Sequence, residues 1–279
     1  MSAARIDAVL AEAAEQLGNI SDTARLDADV LLAHVLERSR TWLYTWNDRL
    51  VDSSDLAAYQ ALVSRRAEGE PVAYLVGERE FWGLPLYTSP ATLIPRPDTE
   101  CLVEQALMRM PGKTGQLLDL GTGTGAIALA LKSERPGWDV TAVDLFDEAV
   151  ALARRNAQRL NLDIRCRQGN WFDGLPPMHF DVIVSNPPYI ADHDEHLDQG
   201  DVRFEPRSAL VATGEGLDDL AHLVNEARTW LFPGGWLLLE HGHGQGEAVR
   251  CAMHQAGFGH IDTVQDIGRR DRVTLARLT

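Results

Sequence analysis

Gly121-Thr122-Gly123-Thr124-Gly125-Ala126 follows the apolar run Gln116-Leu117-Leu118-Asp119-Leu120 and opens a helical stretch over residues 126–131. A strand, a glycine-rich turn and a helix in that order constrain this chain more than any other feature. Three glycines in six positions let the backbone turn tightly and let a ligand come close to it. The helix start behind the turn offers unpaired N–H groups and favours negative charge there. The turn is therefore expected to hold a ligand. It also satisfies the dinucleotide form G-x-G-x-x-G/A, so the turn by itself leaves the cofactor open. Asp144 ends the next strand, Val140-Thr141-Ala142-Val143-Asp144, where a carboxylate is suited to ribose hydroxyls.

Strands and helices keep alternating beyond this point. Residues 148–160 read as a helix, 164–167 as a short strand, and 180–185 as a buried strand ending at Asn186. A helix over 217–231, a turn at Pro233-Gly234-Gly235, a strand over 236–240 and a helix over 247–256 follow. Two strands, 260–266 and 272–278, close the chain. This order predicts an α/β fold with a doubly wound, mostly parallel sheet and an antiparallel final strand.

The first 70 residues differ. Ile6, Val9, Leu10, Ala13, Ala14 and Leu17 recur at helical spacing, and two more stretches, around Val30 and from Asp52 onward, do the same. A small helical bundle is expected over 1–70. Residues 74–77 and 80–87 read as a short hairpin with aromatic faces. Leu93-Ile94-Pro95-Arg96-Pro97-Asp98-Thr99-Glu100 is stiffened by its prolines and leads into a helix. The expected division is a helical docking domain (1–70), a hairpin and proline-rich linker (71–100), and the ligand-binding α/β domain (101–279).

The balance of 26 basic against 41 acidic residues, a net charge of −15, argues against tight nonspecific binding to nucleic acid. Arg65-Arg66 and Arg154-Arg155 read as solvated helix faces, not phosphate patches. Cys101, Cys166 and Cys251 show neither disulfide nor zinc spacing and are expected to be reduced thiols. His241 and His243 lack a third ligand nearby, so no metal is expected. No apolar run is long enough to span a bilayer, and the first ten residues lack a secretory pattern. The expectation is a cytoplasmic monomer with no stable nucleic-acid partner and no membrane.

Asn186-Pro187-Pro188-Tyr189 follows a buried strand, where open α/β sheets hold their ligands. Two prolines rigidify the loop and remove N–H groups, leaving it rich in acceptors. The Asn186 side-chain oxygen and the Pro187 carbonyl suit the two N–H donors of a primary amide or an aromatic amino group. Tyr189 is expected to pack on the flat face of that group.

Taken together, these segments resemble the HemK/PrmC-type protein-glutamine N5-methyltransferases. The likeness runs through the helical N-terminal part, residues 70–77, Ile94 to Glu100, the glycine loop and Asn186 to Tyr189. It extends to Phe204-Glu205-Pro206 with Ala209-Leu210, and to Glu240-His241-Gly242 with Gln245-Gly246. The resemblance implies a Rossmann-like class I methyltransferase domain with a seven-stranded sheet, and S-adenosyl-L-methionine as cofactor. It implies that Gly121, Thr122, Gly123, Thr124, Gly125, Asp144, Trp171 and Asn186 contact the cofactor, with Trp171 beside the adenine. Asn186, Pro187, Pro188 and Tyr189 would bind the substrate amide; Asn186, Pro187 and Tyr189 are the catalytic candidates. Glu240 is expected to cap local backbone groups or to line the site. The implied substrate is the glutamine of the Gly-Gly-Gln motif in class I peptide chain release factors, with a role in translation termination. Alternatives are glutamine methylation of a ribosomal protein, adenine-N6 methylation of nucleic acid, a nicotinamide-dependent oxidoreductase and a noncatalytic binding module.

Overall fold

A computed structural model describes residues 4–279. The chain divides into two units: residues 4–78 with 195–204, and residues 79–194 with 205–279.

The first unit is a bundle of α1 (Ile6–Leu17), α2 (Ala24–Val35), α3 (Arg40–Thr45), α4 (Ser53–Ala67) and α5 (Val72–Val76). A short antiparallel ladder of β1 (Ala4–Arg5) and β2 (Leu50–Val51) joins its start to the end of the α3 region. Leu10, Leu17, Leu31, Leu32, Tyr59 and Val63 form its core. Two expectations change here. Residues 74–76 form a helix rather than a hairpin strand, because the Pro71 carbonyl accepts both the Tyr74 and Leu75 N–H groups and Gly77, at φ 75°, ends the turn. Arg66 is not on a solvated face. It continues the buried stripe of Leu56, Tyr59 and Val63 and is 7% exposed. Its guanidinium donates to Asp27 at 2.8 Å, to Asp201 at 2.7 Å, and to the Gly69 and Glu70 carbonyls. Arg65, by contrast, is exposed and pairs with Glu70, and Arg154 and Arg155 are exposed as expected.

The second unit begins with the hairpin of β3 (Glu78–Phe81) and β4 (Leu84–Tyr87), of which Glu78 belongs to the first. Trp82 and Gly83, at φ 54° and 71°, make the two-residue turn whose twist matches the strands. In chain order there follow α6 (Glu100–Met108), β5 (Gln116–Leu120), α7 (Ala126–Glu134), β6 (Asp139–Asp144), α8 (Asp147–Leu160), β7 (Arg165–Gln168) and β8 (Phe180–Ser185). The short turn α9 (Thr213–Gly216), α10 (Asp218–Trp230), β9 (Leu231–Glu240), α11 (Gly246–Gln255), β10 (Phe258–Gln265) and β11 (Asp271–Leu278) complete the unit. Seven strands make one sheet in the order β10-β11-β9-β8-β5-β6-β7, with β11 alone running antiparallel to its neighbours. Pro233-Gly234-Gly235 is not a separate turn; it is taken up as an irregularity within β9, between Leu231 and Trp236.

Alternation along the strands sends side chains to two cores. Leu117, Val182, Val184 and Leu238 meet α6, α7 and α8 on one face; Leu118, Ile183, Leu237 and Leu239 meet α10 and α11 on the other. No helix among the described residues is long and apolar enough to cross a membrane.

Candidate active site

Register assembles the site. Leu120 at the end of β5 pairs with Val143 of β6 and with Ser185 of β8, and Ser185 pairs in turn with Leu239 of β9. The next residue along each strand is therefore Gly121, Asp144, Asn186 and Glu240, set in a row at one end of the sheet. Chain direction across the sheet reverses between β5 and β8, the switch point where such sheets leave a crevice.

The glycine loop is held from below. Gly121 and Thr122 both donate their N–H to the Val143 carbonyl at 2.9 Å. Gly121, Gly123 and Gly125 have φ of 71°, 54° and 83°, a region that costs side-chain-bearing residues about 1–2 kcal/mol. Asp144 accepts from the Gly123 N–H at 2.8 Å through one oxygen and from the Phe146 N–H at 3.1 Å through the other. Burial raises its carboxyl above the usual range. Asp119, fully buried inside β5, accepts the Thr122 hydroxyl at 2.6 Å, and burial pushes its carboxyl up to about 7. Its other oxygen has no hydrogen-bond partner among the described residues. The buried Asn156 side chain donates to the Thr124 and Tyr87 carbonyls and accepts the Tyr87 N–H, tying loop and hairpin to α8.

A cavity opens above this row. Gly121, Thr122, Gly123, Thr124, Asp144, Trp171, Asn186 and Pro188 line it. Gly125, Pro187 and Tyr189 stand outside its lining. A Cβ on Gly125 would lie 3.2 Å from Ala153 and Leu129, so this glycine serves the packing of α7 on α8. A Cβ on Gly121 would lie 3.3 Å from the ring of Trp171, whereas one on Gly123 meets nothing nearer than Thr92 at 3.9 Å. Trp171 itself has φ 54°. Phe81, Thr92, Pro95, Arg96, Thr99 and Phe146 also line the cavity, and the expected residue set omits all of them.

The proline-stiffened segment is clamped from one point. The buried Glu205 accepts the Ile94 N–H at 3.1 Å and the Arg96 guanidinium at 2.5 Å. Asn186 donates from Nδ2 to the Thr99 hydroxyl at 3.3 Å. Tyr189 turns its hydroxyl to Glu240 Oε1 at 3.4 Å. Glu240 is 2% exposed, and burial pushes its carboxyl up to about 7 against the opposing pull of Thr99, Arg272 and Tyr189. The His241 ring is buried between the Gly242 carbonyl and the Thr274 hydroxyl, and burial lowers its pKa. Among the described residues no three His, Cys, Asp or Glu side chains gather to hold a metal. Cys101 and Cys166 are buried free thiols and Cys251 is exposed.

Asp119 and Asn156 were missed by the sequence reading, although each leaves a signal. One is the lone charge in an apolar strand, and the other is a polar residue in the buried stripe of an amphipathic helix. Thr99 and Glu205 fall in two of the segments that carry the resemblance, but only the folded chain shows what they touch: Thr99 lines the cavity and Glu205 holds Ile94 and Arg96.

Residues 8–77 match the model described as the PrmC N-terminal domain, and residues 97–217 match the methyltransferase small domain. The release factor glutamine methyltransferase of Salmonella typhimurium is 55% identical, over 97% of this chain and 98% of its own length. The one from Vibrio cholerae is 54% identical over 98% and 96%. The crystal structure of a methyltransferase from Pyrococcus furiosus shares the fold, with a TM-score of 0.55 at 22% identity over 70% of this chain and 89% of that one.

Proposed function

This chain belongs to the release factor glutamine methyltransferases, and on that premise we propose that it methylates the side-chain amide nitrogen, N5, of the glutamine in the Gly-Gly-Gln motif of class I peptide chain release factors. The reaction supports translation termination and takes place in the cytoplasm. The observation that carries this reading is the register of β5 and β8, which brings the glycine loop and Asn186 to one cavity.

The residues fit S-adenosyl-L-methionine. The open space above Gly123 leaves room that a Cβ would take from a ligand, and Asp144 keeps lone pairs free for ribose hydroxyls beyond its two backbone bonds. The cavity-lining ring of Trp171 offers a flat face to the adenine. When bound, the cofactor supplies a methyl group on a sulfonium sulfur and leaves as the neutral thioether once the amide nitrogen has taken that methyl.

The protein's own part is to position and polarise the amide. Asn186 Oδ1 and the Pro187 carbonyl accept the two N–H groups of the glutamine amide. Those bonds fix the nitrogen in line with the methyl group and raise electron density on it. One N–H proton leaves to solvent after transfer. Pro187 and Pro188 keep the acceptors in place without competing donors. Tyr189, its ring packed against the α10 and α11 core, braces the loop against Glu240.

Mass spectrometry after incubation with isotopically labelled S-adenosylmethionine tests the assignment. One methyl group on the Gly-Gly-Gln glutamine of release factor is expected. Methylation of ribosomal protein or of adenine in nucleic acid, with release factor unmodified, would overturn it.

A further inference from the structure

We infer that Gln245 is a positioning residue for the substrate loop: its side-chain amide clamps the Tyr189 carbonyl and so keeps the Pro187 acceptor in place. The inference rests on the reading of Asn186 to Tyr189 as the loop that holds the glutamine amide. A loop ordinarily ties itself down with its own N–H groups as well as its carbonyls. Pro187 and Pro188 have no N–H to give. Donors must therefore come from elsewhere and must reach carbonyls. The Pro187 carbonyl is reserved for the substrate, so the anchoring donor has to act further along the loop.

Gln245, the residue before α11, supplies it. Its Nε2 donates to the Tyr189 carbonyl at 3.0 Å. The same nitrogen lies 3.4 Å from the Glu215 and Gly216 carbonyls of α9, so its second N–H is shared between two longer bonds. The orientation of the amide is fixed by its backbone partners. Oε1 accepts the Gly242 N–H at 2.8 Å. Turned half round, the amide would set Nε2 against that N–H and Oε1 against three carbonyls. The Gln245 N–H itself returns to the Gly242 carbonyl at 2.9 Å, which closes the turn and holds the side chain at its base.

Two glycines clear the space for this meeting. A Cβ on Gly216 would lie 2.2 Å from the Tyr189 oxygen and 2.9 Å from Gln245 Nε2. One on Gly242 would lie 3.0 Å from Gln245 Oε1. Glu240, at the end of β9, takes the Tyr189 hydroxyl at 3.4 Å. One residue on, the Ile190 N–H donates to the Leu210 carbonyl at 2.9 Å, and its carbonyl accepts the Ala212 N–H at 3.0 Å. Tyr189 is thus held by both backbone and ring, and the stiff Pro188 carries that fix to the Pro187 carbonyl. Glu240-His241-Gly242 and Gln245 form the seat on which the substrate loop rests.

Gln245→Glu and Gln245→Met, made in the full chain, test the clamp. While its carboxyl is ionised, Gln245→Glu keeps the acceptor for Gly242 and loses the donor for Tyr189; Gln245→Met has no donor at any pH. Single-turnover rates at saturating cofactor and release factor at pH 8.5 should fall roughly ten- to a hundredfold in both, the range for a reacting group misplaced by up to about 1 Å. S-adenosylmethionine affinity by calorimetry should match wild type, because Gln245 stands outside the cavity lining. A protonated carboxyl can donate to Tyr189 again, and the carbonyls around it favour that form. The rate of Gln245→Glu relative to Gln245→Met should therefore rise several-fold from pH 8.5 to pH 6. Glu240, His241, His243, Glu215, Arg250 and Arg272 titrate or carry charge around this turn, and the ratio removes their effect because both variants keep them. The clamp is overturned if Gln245→Glu matches wild type at pH 8.5, or if the ratio stays constant with pH. It is also overturned if rate, cofactor affinity and thermal midpoint fall together in both variants, since that marks a purely structural role. An Asn186→Ala rate near wild type would instead sink the substrate-loop reading beneath it.

Discussion

Replacing Arg66 by methionine keeps the aliphatic stem packed while removing the guanidinium. In the structure that group serves Asp27, Asp201 and the carbonyls of Gly69 and Glu70. Stripping one partner from a buried ion pair costs about 3–5 kcal/mol. Asp27 retains the hydroxyls of Ser21 and Thr23, which sets its share at the lower end of that range. The Asp201 side chain is 37% exposed, so that pair adds less than about 1 kcal/mol. The two carbonyls lose a donor and add about 1 kcal/mol. The total is about 4 kcal/mol, close to a thousandfold in a local opening equilibrium. Hydrogen exchange read by mass spectrometry on peptides from α2, α4 and residues 195–204 should accelerate by roughly that factor. Arg65→Met, next in sequence but exposed and paired with Glu70, should change exchange by less than about fivefold. An acceleration below tenfold in Arg66→Met, or equal effects of the two substitutions, would refute the hub. Cofactor affinity should stay at the wild-type value, because Arg66 belongs to the helical unit and the cavity to the sheet unit.

Other consequences follow from the cavity. Asn186→Ala should lower the single-turnover rate by about 10²–10³ while changing cofactor affinity much less, and near-normal turnover would remove Asn186 from the mechanism. Gly123→Val should abolish S-adenosylmethionine binding and lower the thermal midpoint only by the about 1–2 kcal/mol that its φ of 54° costs, because its side chain enters open space; Gly125→Val should lower the midpoint further, because its Cβ also meets Ala153 and Leu129 at 3.2 Å. Calorimetry and thermal unfolding separate the two, and identical behaviour would count against the distinction. Asp119 is raised from 3.8 to about 7, so its folded-state penalty is absent below pH 4, grows as pH rises, and is complete above 7. Asp119→Asn should therefore gain stability relative to wild type by about 1.4 kcal/mol per pH unit across that window. Urea unfolding at pH 5 and pH 7 checks this, and a difference independent of pH would contradict it.

Local pattern was enough for the elements that make the site. The strand–glycine–helix order, the carboxylate ending β6 and the two prolines after β8 are short-range features whose backbone consequences do not depend on distant residues. Strand alternation and helical period likewise made the parallel sheet and the helical bundle legible. The errors came where one stretch satisfied two local rules. Residues 71, 73 and 75 are buried alternately, as in a strand, yet the Pro71 carbonyl closes a helical turn. Arg66 carries the charge of a surface residue at the position of a core one, and only Asp27 and Asp201, 39 and 135 residues away, make that position tolerable. Tertiary structure alone decided which residues meet. Thr99 and Asn186 are 87 residues apart, and Tyr189 and Glu240 are 51 apart. Their contacts arise from strand register and from the order in which strands enter the sheet. A single sequence encodes the tendency to form each strand, but the depth at which strands pair is settled by burying both faces of the sheet at once. That shared register set Gly121, Asp144, Asn186 and Glu240 in one row, and the same burial raised the Asp119 and Glu240 carboxyls to about 7.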